Sequence, residues 1–227
     1  MIKRIRLIGR SAADDHAASA LRDGAFAVTA APLDVRPARI AVCVALPDVL
    51  PDPRFAAVGI EWFRDVGHLE RFASWLASLN GSAAGRADES LTAHEHALRG
   101  ADWLERRWHQ GGSRLKHMAV ARRAADLTPA QFSERWRNRA GRVGAVRIPD
   151  RARGQAYVQN HPLTEAGADW PYDAVNEVYF DDADGLRARI AWFAANSSRT
   201  AEDDLVGESW FVAVREELLW AEPAHSR

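Results

Sequence analysis

A glutamate set among apolar and aromatic strand residues, in the run Ala174-Val175-Asn176-Glu177-Val178-Tyr179-Phe180, is the first place in this chain where acid–base chemistry could reside. Strand alternation sends Val175, Glu177 and Tyr179 to one face and Ala174, Asn176 and Val178 to the other. Burial disfavours the ionised carboxylate and could raise its pKa toward that of a working general acid or base; the reading weighed against it, and given the edge, is a structural carboxylate paired to an Arg or capping backbone amides. His161 follows Asn160 at the end of another strand-like run. The amide could polarise a carbonyl while the imidazole moves a proton near neutral pH, or the histidine could simply steady the turn before Pro162. His117, beside Lys116, is a third proton-transfer candidate. Tyr157, Tyr172 and Tyr179 could orient a phenolic ligand or serve as packing. His94-Glu95-His96 places two imidazoles on one strand face, but with no third ligand evident nearby no metal is expected.

The elements that must hold these residues repeat. Residues 55–76 (FAAVGIEWFRDVGHLERFASWL) lie over 172–193 (YDAVNEVYFDDADGLRARIAWF) without a gap, at an offset of 172 − 55 = 117, and Ala57/Ala174, Val58/Val175, Phe63/Phe180, Asp65/Asp182, Leu69/Leu186 and Trp75/Trp192 are identical. The same offset lays Ile40 to Leu46 over Tyr157 to Leu163, and Lys3 with its apolar strand resembles Lys116 with its own. Each half reads strand, helix, strand, strand, helix, strand, the ferredoxin-like βαββαβ order. In the second half Thr128-Pro129-Ala130-Gln131 supplies an N-cap, a first-turn proline and a capping-box Gln, and Phe132, Trp136 and Val143 continue one helical face. Leu186, Ile190 and Phe193 mark the buried stripe of a second helix.

The fold class expected is therefore α+β, two tandem ferredoxin-like halves, 1–107 and 113–227, packed sheet to sheet as an intramolecular α/β barrel. Trp108-His109-Gln110-Gly111-Gly112-Ser113 has the composition of the connector. The bare face of each sheet needs a cover, and the other copy's sheet is the nearest one, since apolar burial is worth roughly 25 cal/mol per Å².

Composition narrows the partners. Thirty basic residues against thirty-one acidic ones remove the electrostatic footprint of a nucleic-acid or anionic-membrane binder. A single cysteine, Cys43, lies in the apolar run Ile40 to Leu46, where a buried thiol is expected, and the chain suits a reducing cytoplasm. No apolar stretch approaches the roughly 20 residues of a membrane-spanning helix. Nine tryptophans could line a cavity or fill cores. Phosphate-binding glycine loops, paired CxxC motifs and a nucleophile elbow are missing. The partner expected is a hydrophobic or aromatic small molecule, with no nucleic acid, no membrane and no cofactor; a homodimer is left open.

The runs KHMAVARRAADLTPAQFSERWRNRAG, AYVQNHPL and YDAVNEVYFDDADGLRA make residues 114–220 resemble the EthD family of the dimeric α/β-barrel superfamily. The first half keeps the outline and loses the polar signature: Val42-Cys43-Val44 stands where Gln159-Asn160-His161 stands, and Gly59-Ile60 replaces Asn176-Glu177. One departure stands out. Such domains carry a histidine shortly after the helix tryptophan, whereas this chain reads Trp136-Arg137-Asn138-Arg139-Ala140-Gly141; Arg139 could then supply a fixed positive charge. The resemblance implies a cofactor-independent cyclase, dehydratase or lyase acting on an aromatic or polyketide-like compound in the second half. His161, Glu177 and His117 would share proton transfer, and Asn160, Tyr157, Tyr179, Trp136 and Arg139 would hold the substrate. The alternative is a non-catalytic binding or accessory protein. A haem-dependent role is remote, since no axial ligand stands out.

Overall fold

The computed structural model describes residues 1–10, 17–80, 89–138, 142–143, 146–163, 170–200 and 204–222. The first copy comprises β1 (Ile2–Gly9), α1 (Ala17–Thr29), β2 (Arg39–Ala45), β3 (Phe55–Phe63), α2 (Val66–Asn80) and β4 (Glu89–Arg99). A helix, α3 (Ala101–Gln110), leads to the second copy: β5 (Ser113–Arg123), α4 (Pro129–Arg137), a short hairpin of β6 (Arg142–Val143) and β7 (Val146–Arg147), α5 (Asp150–Arg153), β8 (Ala156–Pro162), β9 (Ala174–Phe180), α6 (Ala183–Thr200) and β10 (Val206–Ala221).

Each copy forms a four-stranded antiparallel sheet, in the orders β4-β1-β3-β2 and β10-β5-β9-β8, as the βαββαβ pattern predicts. The two sheets face one another, and they also pair at both edges. β2 joins β10 with Val42 opposite Glu217, and β4 joins β8 with His94 opposite His161, so the eight strands close into one barrel. Closure removes the exposed edges that two stacked sheets would have left.

Alternation then sorts every strand residue into one of two environments. Inward-facing Ile5, Leu7, Val58, Ile60, Leu91, Met118, Val120, Val175, Val212 and Val214 fill much of the barrel. Cys43 is among them, fully buried, its thiol pushed up to about 12 mainly by that burial, so it is inert as the sequence suggests. The outer face of the first sheet meets α1 and α2 through Ile40, Val42, Ala57, Phe63 and Phe72, an apolar layer. The outer face of the second sheet meets α4 and α6, and it is not wholly apolar.

Two local expectations need correction. The helix face predicted to run from Phe132 to Val143 stops at Arg137, and Val143 belongs to β6. The start is as predicted: Thr128 accepts from the Gln131 backbone N–H at 3.2 Å while the Gln131 side chain accepts from the Thr128 N–H at 2.9 Å. The connector is also shorter than its composition suggests. Trp108, His109 and Gln110 form the last turn of α3, leaving Gly111 and Gly112, both at positive φ, as the turn into β5.

α3 packs Leu104 against Ala156, Val158 and Tyr179, with Trp103 and Trp108 alongside. Its approach depends on Gly100, at φ 72°, where an added Cβ would lie 2.3 Å from the Gln155 carbonyl oxygen. Gly100→Ala is expected to cost at least about 1–3 kcal/mol from the left-handed conformation alone, read as a lower urea midpoint. An unchanged midpoint would show that α3 can shift without penalty.

Candidate functional site

The inward face of the barrel carries a cluster of charge. Glu177 accepts four hydrogen bonds: Oε1 from Lys3 and from the Asn160 amide at 2.9 Å, Oε2 from Lys116 at 2.5 Å and the Tyr179 hydroxyl at 2.8 Å. Lys116 also meets Glu216 at 2.5 Å, Glu216 meets Arg114 at 2.6 Å, and Lys3 meets Glu95 at 3.1 Å. Three cations thus face three carboxylates, and one of the two lysines comes from the first strand of each copy. Burial alone would raise the Glu177 carboxyl, but Lys116 and then Lys3 hold it well below the usual carboxylate range. Of the two readings of Glu177 the structural ion pair is the one found, with lysines as the partners and not an Arg, and the raised, proton-ready carboxyl is not. The apolar neighbours flank Glu177 along its own strand, whereas the lysines reach it from β1 and β5, outside any local pattern.

A different set of polar groups lies on the outer face of the second sheet, beneath α4. His161 Nε2 lies 3.0 Å from Gln159 Oε1, and His161 Nδ1 lies 3.2 Å from Ser133 Oγ. The Gln159 amide nitrogen donates to the Trp136 carbonyl at 3.2 Å and the Tyr157 hydroxyl at 3.0 Å, which leaves Oε1 as an acceptor facing the histidine. That assigns the imidazole proton to Nε2 and the lone pair to Nδ1. Burial first, then the charges of Arg137, His96 and His94, lower the imidazole to about 4, so at neutral pH the ring is uncharged and its Nδ1 lone pair accepts from the Ser133 hydroxyl. Trp136 stacks on Phe132 with centroids 5.2 Å apart and donates its indole N–H to Asn176 at 3.2 Å. His96, from the first copy's edge strand, places its ring 5.3 Å from that of His161.

His117 is on the same outer face but beneath α6. Its Nδ1 accepts from Arg189 Nε at 2.9 Å, and its ring stacks on Phe211 with centroids 5.1 Å apart. Burial and then Arg189 hold it neutral, and its lone pair is occupied by the guanidinium.

The residues singled out from sequence thus fall into two groups separated by the sheet. His161, His117, Tyr157 and Trp136 are on the outer face; Glu177, Asn160 and Tyr179 are inside the barrel. A single cleft in which His161, Glu177 and His117 share proton transfer while Asn160 and Tyr157 hold one substrate does not form. Adjacent strand residues such as Asn160 and His161 must point to opposite faces. Arg139 lies outside the described residues. Tyr172 packs at the far end of the barrel interior, edge-on to Phe55 and Trp210. His94 and His96 do share a strand face, and among the described residues no group of metal-ligating side chains is placed to hold an ion. Ser133, Gln159 and Arg189 join the site from structure. The signal for Gln159 is its replacement of Val42 in the copy; that for Arg189 is a charge on the i, i+3, i+4, i+7 stripe of Leu186, Ile190 and Phe193.

These groups set the pH profile of stability. Glu177 is depressed in the fold, so its contribution is complete above the unfolded glutamate value of about 4.3 and is lost as pH falls. Lys3 and Lys116 are raised, so theirs is complete below about 10.4 and is lost as pH climbs past it. His161, lowered to about 4, withdraws stability as pH falls from about 6.5, where the unfolded chain takes up a proton that the folded chain does not. Urea midpoints measured across pH are expected to begin falling near 6.5, where His117 and His96, also lowered, act in the same direction, and His161→Ala to shrink that first step without abolishing it. A midpoint flat from 7 to 5 would contradict the neutral buried imidazole.

The closed eight-stranded barrel with helices on its outside is the intramolecular α/β barrel expected from the repeated βαββαβ order. An anthrone oxidase-like protein of known structure superposes with a TM-score of 0.55 at 10% identity, over 100% of this chain and 95% of that one. A protein of Lactobacillus acidophilus provisionally designated a monooxygenase matches with a TM-score of 0.44 at 13% identity, covering 96% of this chain and 94% of its own. Another with the same provisional designation, from Fusobacterium nucleatum, gives a TM-score of 0.44 at 9% identity, covering 98% and 94%. No family model and no curated protein sequence matches. No helix among the described residues is long and apolar enough to cross a membrane.

Proposed function

We propose that the chain is a cofactor-independent enzyme that removes an acidic proton from an aromatic or polyketide-like molecule held against the outer face of the second sheet. The observation that carries this reading is the contrast between the copies. Positions occupied by Ile40, Val42 and Val44 in the apolar layer of the first copy are occupied by Tyr157, Gln159 and His161 in the second, joined by hydrogen bonds of 3.0 Å. The fold does not require that polarity, since the first copy manages without it. Buried polar groups lower stability unless satisfied, and a chain that ends on a neutral imidazole whose lone pair meets a single serine hydroxyl is arranged for proton transfer.

His161 Nδ1 is the base in this reading. Ser133 either relays the proton or yields its place to the ligand, Gln159 fixes the tautomer, and the stacked Phe132 and Trp136 form a wall for a flat ring. Proton removal opens the way to elimination or ring closure, the cyclase, dehydratase and lyase reactions, and equally to attack of the resulting carbanion on dioxygen. The shared fold of an anthrone oxidase-like protein makes anthrone, whose methylene is flanked by two rings, a suitable probe. In deuterated buffer the chain is expected to accelerate exchange of that methylene above the buffer rate, followed by NMR. Exchange no faster than in buffer, for anthrone and for a panel of polycyclic phenols, would remove the enzymatic reading. The second reading, a non-catalytic binder, is favoured by the absence of a histidine after Trp136, and it predicts anthrone binding without exchange.

A further inference from the structure

Arg189 has 7% of its surface exposed, and its hydrogen-bond partners are both neutral: His117 Nδ1 at 2.9 Å and the Ala152 carbonyl at 2.9 Å. The guanidinium also rests on the Phe193 ring, 4.6 Å from its centroid. Among the described residues no carboxylate pairs with it, although buried charges are ordinarily paired. Burial, ahead of any neighbour, lowers it to about 10. The fold does not call for this charge, because the equivalent position in the first copy is Phe72, fully buried in an apolar layer. Around it the field is one-sided: Arg99 and Arg189 both act on the Tyr157 hydroxyl, and Arg99 spends its own donors on the carbonyls of Arg153 and Gly154. From Tyr157 the hydrogen-bonded chain runs through Gln159 to His161.

We propose that Arg189 is the counter-charge for a carboxylate on the substrate, so that the ligand of this outer layer is an aromatic acid anchored at Arg189 and presented towards His161. This rests on the reading of the second copy's outer face as the ligand site and names its substrate class. His117 is then a positioning residue that holds Arg189 Nε and directs the rest of the fork, and Phe193 and Phe211 flank the anchor. A charged hydrogen bond of this kind separates an acid from its neutral analogue by about ten- to a hundredfold in affinity.

The test compares 2-naphthoate with 2-naphthylmethanol by calorimetric titration of the full chain and its Arg189→Met and Arg189→Lys variants. The parent is expected to prefer the carboxylate, Arg189→Met to lose the preference while still binding the alcohol, and Arg189→Lys to keep part of it. A second readout needs no ligand. Relief of a desolvated cation that faces no carboxylate offsets the loss of its hydrogen bonds to His117 and Ala152, so Arg189→Met is expected to leave the melting temperature little changed, whereas removing a structural strut lowers it markedly. The inference is overturned by a parent that binds naphthoate no more tightly than the alcohol or binds neither, by a preference that survives in Arg189→Met, or by a marked fall in that variant's melting temperature. Proton transfer stands or falls separately, on exchange of neutral anthrone.

Discussion

Glu177→Gln is expected to lower the free energy of unfolding by about 3–5 kcal/mol, the range for breaking a buried ion pair from one side. Both lysines that Glu177 joins are fully buried, and each comes from a different copy, so the carboxylate is a tie across the barrel as well as a neutralising charge. Glutamine keeps the volume and can still accept from Asn160 or Tyr179, so the loss isolates charge. Lys3 and Lys116 retain Glu95 and Glu216, which places the effect toward the lower end of the range. Adding Lys3→Met restores the balance to two cations and two carboxylates, and the double variant is expected to recover much of the stability. Urea denaturation of the four combinations reads both. A double variant weaker than the sum of the two single losses would show that Lys3 and Glu177 are not coupled as the geometry requires.

His161→Ala is expected to reduce turnover by about 10²- to 10⁴-fold, the usual worth of a positioned general base, with a much smaller effect on anthrone binding. The neutral imidazole, its tautomer set by Gln159, has a lone pair directed at a hydroxyl that a ligand could replace. The mutation also strips Ser133 and Gln159 of a partner, at a cost of about 1–3 kcal/mol in stability. Turnover is therefore compared under conditions where both proteins are folded, by circular dichroism. Equal rates per folded molecule would move the base elsewhere.

The halves, their strand order and the split of Val175, Glu177 and Tyr179 from Asn176 and Val178 were legible because they rest on periodicity and on a repeat. So was the capping box at Thr128, which depends on residues three apart. What each strand face would meet was not. Glu177 among apolar neighbours looks like a carboxyl deprived of solvent; the pairing of β5 with β9 brings Lys116 beside it, and closure of the two sheets into one barrel brings Lys3 from β1. The end of α4 at Arg137 was hidden for a related reason, since Val143 keeps the helical spacing while pairing with Val146 in a hairpin. Arg189 was concealed in the eight helix positions from Leu186 to Phe193 that read as an amphipathic stripe, and its meaning emerges only when Phe72 is seen to fill the same place in the other copy.

In the function proposed, proton chemistry belongs to the outer face of the second sheet, and the charges inside the barrel serve the fold. The most direct measurement is anthrone methylene exchange per folded molecule for His161→Ala and Glu177→Gln side by side, at a temperature where both are native. Exchange lost in His161→Ala and kept in Glu177→Gln is the expected result. The reverse pattern, with Glu177→Gln silent and His161→Ala active, would place the chemistry inside the barrel and contradict the assignment.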